Sequence, residues 1–293
     1  MERLLVIGAS GLLGNRAIDL GKIKYQTFGT YYTHTMKGDN LFQLDVTKRQ
    51  DVFKLLEKIK PNFVLDTHAL HNVDYCETHP EEAWSINVDG TRNVAEASKR
   101  VGAKYAFIST DYVFDGKKLG YTEKDKPNPL SYYAKTKLAA EMILEALDIN
   151  YIAARTAVLY GKGGMGKMPF VLWLVDKLRK NETVNIVTDQ HNNPTLVDNI
   201  VEILFRLFEL DAEGLFHVTG KDCLNRYDFS RNIAKTFGLN SKLINPITSP
   251  QLNQIARRPD KVNMSTNKVE RITGIKTLTI KDGLNILKRQ LVV

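Results

Sequence analysis

The chain has 293 residues, 43% of them hydrophobic and 25% charged, with a formal net charge of +8 at pH 7. That balance is ordinary for a globular protein, and the length suits one large α/β domain or a domain with a smaller lobe. Two cysteines, Cys76 and Cys223, exclude a disulfide framework, so a reducing, cytoplasmic setting is expected.

The first element is Arg3–Ile7, an apolar run of strand length that leads directly into Gly8-Ala-Ser-Gly11-Leu-Leu-Gly14. Residues 15–20 then read as a helix. Strand, glycine turn, helix is the context of a dinucleotide-binding loop. The glycines permit a tight turn and let backbone N–H groups approach a pyrophosphate, with the positive end of the helix dipole behind them. Gly8, Ser10, Gly11, Leu12, Leu13 and Gly14 are therefore candidate cofactor residues. A secretory core is the rival reading of 4–13; its three glycines, its short length and the lack of any further membrane-like run oppose it.

Residues 26–32 are expected as the second strand, 50–59 as a helix before Pro61, and 63–67 as a strand. A long helix over 80–101, a strand over 104–109, the helix carrying Tyr133, a strand over 151–156 and a helix over 169–179 follow. This rhythm predicts an α/β fold, a doubly wound parallel Rossmann sheet with a smaller C-terminal α/β lobe. Ligands of such a sheet bind at the carboxyl ends of its strands, where Ser109, Thr110 and Thr156 fall. Residues 1–160 are expected to form the nucleotide-binding domain, with 184–220 returning to it. Residues 161–183 and 221–293 are expected to form the substrate lobe.

Tyr133 and Lys137 are four residues apart and share a helix face, whereas Tyr132 has Thr136 at that offset. A phenol has a pKa near ~10, and a cation beside it favours the phenolate and brings that value toward the working range. The positive charge of the chain favours anionic ligands, nucleotides included. Nucleic acid is the lesser reading, because no Lys/Arg stripe with interleaved aromatics is present.

Gly8-x-x-Gly11-x-x-Gly14 with Tyr133-x-x-x-Lys137 resembles the extended short-chain dehydrogenase/reductase superfamily. Ser109-Thr-Asp-Tyr-Val-Phe-Asp-Gly116, Tyr133-Ala-Lys-Thr-Lys-Leu-Ala-Ala-Glu141 and Arg155-Thr-Ala-Val-Leu-Tyr-Gly161 are similar to one branch, the dTDP-4-dehydrorhamnose reductases. Asp189-Gln190, Pro194-Thr195 and Arg258-Pro259 add to the likeness, which spans nearly the whole chain. The resemblance implies a reductase of a nucleotide-linked 4-keto sugar. Thr110 would hydrogen-bond the substrate carbonyl, Tyr133 would protonate it as hydride arrives from the nicotinamide, and Lys137 would bind the ribose and lower the tyrosine pKa. Tyr112 would touch substrate. Asp45 and Val46 match the position beside the adenine, although Asp45-Val-Thr47 also reads as a simple turn before a helix.

Residues 30–37 after the second strand contain no acid, and His34 and Lys37 could meet a 2′-phosphate, so NADPH is expected, with NADH left open. Two departures from the branch stand out. Val158 replaces its usual substrate-contacting tryptophan, and 66–72 departs from its Asn-Ala-Ala-Ala-Tyr-Thr pattern, placing His68 and Ala69 along the cofactor or substrate. His68, His71, Asp74 and Cys76 match no recognised metal spacing, so no metal is expected. Gly161-Lys-Gly-Gly-Met-Gly166-Lys167 fits a phosphate-binding loop except that Met168 stands where a hydroxyl would hold Mg²⁺. It is expected instead as a mobile loop over the substrate, with Lys162 or Lys167 near a diphosphate. Arg257 or Arg258 is a second candidate for that diphosphate. Epimerisation or dehydration within the superfamily, and a non-catalytic NADP-binding role like the regulatory subunit of methionine adenosyltransferase, are the alternatives. A homodimer is left open, and no membrane partner is expected.

Overall fold

A computed structural model describes residues 1–291. Strand β1 (Arg3–Ile7) leads through α1 (Leu12–Gly21) to β2 (Gln26–Tyr31), and β3 (Leu41–Gln43) continues outward. The chain then crosses by α2 (Arg49–Ile59) to the other side of β1, where β4 (Phe63–Asp66) pairs. After α3 (Val73–Thr78), α4 (Pro80–Trp84) and α5 (Gly90–Val101), β5 (Lys104–Thr110) joins β4. Helix α6 (Tyr132–Ala146) then leads to β6 (Tyr151–Thr156) beside β5. Next come β7 (Leu159–Tyr160), α7 (Phe170–Arg179), β8 (Val184–Val187), β9 (His191–Asn192), β10 (Thr195–Leu196) and α8 (Val197–Glu209). Strand β11 (Gly214–His217) closes the far edge of the large sheet. The chain ends with β12 (Leu224–Asn225), α9 (Arg226–Phe237), β13 (Ile244–Ile247), α10 (Asn267–Thr273) and α11 (Ile280–Leu291).

The large sheet has seven parallel strands in the order β3-β2-β1-β4-β5-β6-β11. The order reverses between β1 and β4, which makes the switch-point crevice of a Rossmann fold. Leu4, Leu5, Val6 and Ile7 are all at most 1% exposed, as an apolar run without alternation requires when helices cover both faces. Helix α8 packs on one face beside α1, tied by the Arg16–Asp198 ion pair. Helices α2, α5 and α6 cover the other. No helix among the described residues is long and apolar enough to cross a membrane.

Two expectations change. The stretch 80–101 is not one helix: a π turn at Ser85–Asp89 separates α4 from α5. Polar side chains hold that turn, because Nε2 of His68 lies 3.0 Å from the Ile86 carbonyl and the Asn87 amide bonds the Leu70 backbone and Thr136. Nor does all of 184–220 return to the large sheet. Strand β8 pairs in parallel with β13, and β9 pairs with β12, so 184–192 lies with the C-terminal part while α8 and β11 return. A separate apolar cluster built on Tyr160, Leu174, Phe229, Ile233 and Leu284 holds that C-terminal part together.

Candidate active site

At the end of β1 the glycine turn folds against the end of β4. A Cβ on Gly8, whose φ is +81, would lie 3.0 Å from the His68 amide nitrogen, and one on Gly14 would lie 2.3 Å from the Gly8 carbonyl. Only hydrogen side chains fit that fold. Gly11 caps α1 without a side-chain hydrogen bond, so the first-turn N–H groups at Leu12 and Leu13 are left for an anion. Ser10 offers its carbonyl to the Met165 amide at 2.7 Å.

The remaining cofactor candidates lie around this turn. His34 and Lys37 are exposed beyond β2, with no acid between them. Oδ1 of Asp45 accepts from the amide and hydroxyl of Thr47 at 2.9 and 2.7 Å, so that oxygen closes a local turn. The Val46 carbonyl accepts from Asn93, and its side chain lies over Gly90. His68 and Ala69 follow β4 and are partly exposed. His68 turns inward: Nδ1 meets Asp66, which also accepts the Tyr105 hydroxyl at 2.5 Å, and Nε2 meets Ile86.

Ser131 caps α6 through the Ala134 amide and so sets the register that aims Tyr133 and Lys137 at the end of β5. Thr110, at that end, is 7% exposed; its hydroxyl donates to Asp111 Oδ1 and accepts the Tyr112 amide, each at 3.2 Å, and lies close enough to Tyr133 to act on its phenol. The phenol is pushed above its ordinary value by burial first and Asp111 second, with Thr110 opposing. The net shift is upward, opposite to the expectation of a lowered value. Lys137 is itself 1% exposed, and burial pulls its ammonium down to about 8, while Asp66 and Glu141 pull it back. Its Nζ makes no ion pair among the described residues and sits 3.9 Å from the centroid of the Phe107 ring. One turn further on, Glu141 bonds Ser109 and takes a two-point contact from Arg155 at 3.0 and 2.6 Å, fastening α6 to β5 and β6.

The substrate candidates behave differently from one another. Tyr112 follows Thr110 in a short turn, and its phenol is pushed above its ordinary value by burial. The Arg258 fork is committed to Asp74 and the Ala256 carbonyl, which leaves Arg258 little to offer a diphosphate. Val158 lies partly buried beyond β6 with φ at +40, a strained backbone for a β-branched residue and a mark of functional loops. Two residues that the sequence reading missed lie near Tyr112. Asp111 is 3% exposed and burial raises its carboxyl to about 7. Arg226 opens α9 and acts electrostatically on Asp111 and Tyr112. Asp111 was within reach of the motif spanning 109–116; nothing local marks Arg226.

The glycine loop 161–168 lies against the glycine turn after β1. Gly164 abuts Leu12, Gly166 abuts the His34 ring, and Lys162 reaches the Gln290 carbonyl. His68, Asp74 and Cys76 are each engaged by different partners, and among the described residues no group of three such side chains is placed to hold a metal.

The RmlD substrate binding domain family matches residues 1–292. A dTDP-4-dehydrorhamnose reductase of Aggregatibacter actinomycetemcomitans is 32% identical over 287 residues, covering 94% of each chain. Methionine adenosyltransferase 2 subunit beta of Mus musculus is 31% identical over 278 residues, 92% of this chain and 82% of that one. Among solved structures, a dTDP-4-dehydrorhamnose reductase from Bacillus anthracis in complex with NADP superposes with a TM-score of 0.88 at 28% identity, over 99% of both chains. Another from Clostridium acetobutylicum gives 0.85 at 31% identity, over 99% of this chain and all of that one. With a match to nearly every residue, this chain belongs to the RmlD substrate binding domain family.

Proposed function

We propose that the protein is an NADPH-dependent reductase of a nucleotide-linked 4-keto sugar of the dTDP-4-dehydrorhamnose type. The observation that carries this reading is the placement of Tyr133 and the buried Lys137, one turn apart on α6, against the end of β5 where Thr110 lies. The residues present fit the dinucleotide: a glycine turn no Cβ can enter, an uncapped helix start, and a buried lysine without an ion pair. The first-turn amides of α1 would hold the pyrophosphate, and Lys137 the nicotinamide ribose. His34 and Lys37 would meet the 2′-phosphate, with no carboxylate between them. Residues 161–183 and 221–293, joined by 184–192, would make the substrate lobe.

NADPH supplies hydride to the carbonyl carbon when bound. The chain supplies the proton. Thr110 and Tyr133 would both donate to the carbonyl oxygen and stabilise the negative charge that grows there. Burial keeps the Tyr133 phenol protonated at neutral pH, so it stands ready as the acid. Tyr112 and Val158 would line the sugar.

The 31% identity to a methionine adenosyltransferase subunit supports a second reading, a cofactor-binding regulatory subunit without turnover. Incubation with NADPH and a panel of 4-keto-sugar nucleotides separates the readings. Stoichiometric NADPH loss with dTDP-4-dehydrorhamnose is expected. Product change without net oxidation would indicate epimerisation, and binding of NADPH without any turnover would favour the regulatory reading.

A further inference from the structure

The strand register pairs Asp66 on β4 with Phe107 on β5. Paired residues of neighbouring parallel strands send their side chains to the same face, about 5 Å apart. Helices α5 and α6 cover that face, and Nζ of Lys137 rests 3.9 Å from the centroid of the Phe107 ring. Tyr105, two residues before Phe107, donates its hydroxyl to Oδ2 of Asp66 at 2.5 Å. The Asp66 carboxylate is thus buried in the sheet face under the Lys137 ammonium, at the start of the stretch where the sequence departs from its branch.

His68 takes the other carboxylate oxygen. Its Nδ1 meets Oδ1 of Asp66, and its Nε2 lies 3.0 Å from the Ile86 carbonyl. A carboxylate and a carbonyl only accept, so the ring satisfies both when each nitrogen carries a hydrogen, which makes it an imidazolium. Asp66 and His68 then form a buried pair of opposite charges at the end of β4. The other anion acting on Lys137 is Glu141, which is taken up by Arg155 and Ser109. Tyr105, Tyr133 and Cys76 are kept neutral by burial. A bare carboxylate under Lys137 would draw the ammonium into an ion pair. One shared with Tyr105 and His68 favours the charge and leaves the ammonium hydrogens free for a ribose.

We propose that Asp66 and His68 are positioning residues that set the charge of Lys137, Asp66 holding the ammonium protonated and His68 tempering that hold. The consequence for turnover rests on the reductase reading above; the charge relation stands on the apoprotein alone.

The test is an NMR titration of the full chain with lysine isotope-labelled at Cε, the Lys137 signal being the one missing from Lys137→Met. Asp66→Asn should lower the Lys137 midpoint by about one pH unit or more, and Asp66→Glu, which keeps the charge, should stay near the native value. His68→Gln should raise the midpoint, because the carboxylate then acts unopposed. The alkaline limb of kcat/KM should move in the same order. A purely structural Asp66 or His68 would lower Tm and turnover in these variants without moving the midpoint in opposite directions. If Asp66→Asn does not fold, His68→Gln decides by itself. An unmoved midpoint in Asp66→Asn, or one in His68→Gln that fails to rise, would overturn the proposal. Midpoints that move as expected in a protein that reduces no 4-keto sugar would overturn the reductase reading and uphold the charge relation.

Discussion

Arg258 meets Asp74 at two points across 184 residues of chain, with Nη1 2.9 Å from Oδ1 and Nη2 2.8 Å from Oδ2. The same carboxylate accepts the Ala256 amide at 2.9 Å, so the pair fastens the segment before Pro259 to α3. Arg258 holds the Asp74 carboxyl below its ordinary value. The pair therefore contributes stability above the unfolded carboxylate pKa of about 4, and loses it as pH falls through the lower folded value. Arg258→Ala should cost about 1 kcal/mol at pH 7, the partial exposure of Asp74 being allowed for. Thermal melts should show this difference shrinking on acidification; a gap independent of pH would show that the ion pair is not its source.

The buried ammonium of Lys137, at about 8, makes two predictions of opposite sense. A lysine depressed in the folded state penalises folding below that value, and the penalty fades as pH rises toward the unfolded value near ~10. Lys137→Met should accordingly raise Tm at pH 7 and do so less at pH 10. The same change should weaken NADPH binding and slow turnover. In the native enzyme kcat/KM should fall as pH rises through about 8, and Lys137→Arg should move that limb upward. An unmoved limb would assign it to another group.

Asp111 carries the converse sign. Its carboxyl is raised to about 7, so the native protein keeps a proton that the unfolded chain loses from about pH 4 upward. Stability is lost over that interval, and Asp111→Asn should recover it, by about 1 kcal/mol or more at pH 8 and by much less at pH 4. Melts at the two pH values check this directly.

Gly164 bears on the loop over the cofactor turn. Its φ is +81, and a Cβ would come within 3.0 Å of the Leu12 nitrogen and Cα. Gly164→Ala should lift the loop from α1 and weaken NADPH binding several-fold, with little change in Tm because the loop is exposed. Fluorescence titration with NADPH measures it. Unchanged affinity would detach the loop from the cofactor.

The parts of the site legible in the sequence are local ones. The β1 run, the glycine turn and the Tyr133–Lys137 spacing each lie within a few residues, and local geometry fixes what they can do. The parallel, doubly wound sheet followed from the same rhythm. What escaped depends on distant contacts. Arg258 looked free for a diphosphate until Asp74 met it. The break in the helix over 80–101 falls where the His68 ring meets the Ile86 carbonyl and Asn87 bonds Leu70, contacts made between distant residues. The direction of the Tyr133 shift also escaped, because burial outweighs a lysine four residues away.

The central claim is that Tyr133 delivers the proton, and one variant tests it. Turnover and NADPH affinity should be measured side by side for the native protein and Tyr133→Phe with dTDP-4-dehydrorhamnose. Removing the phenolic hydroxyl takes away the acid and leaves the ring that fills the site, so kcat should drop by roughly 100- to 10,000-fold while NADPH affinity stays within about twofold. A Tyr133→Phe protein that keeps native kcat would contradict the account.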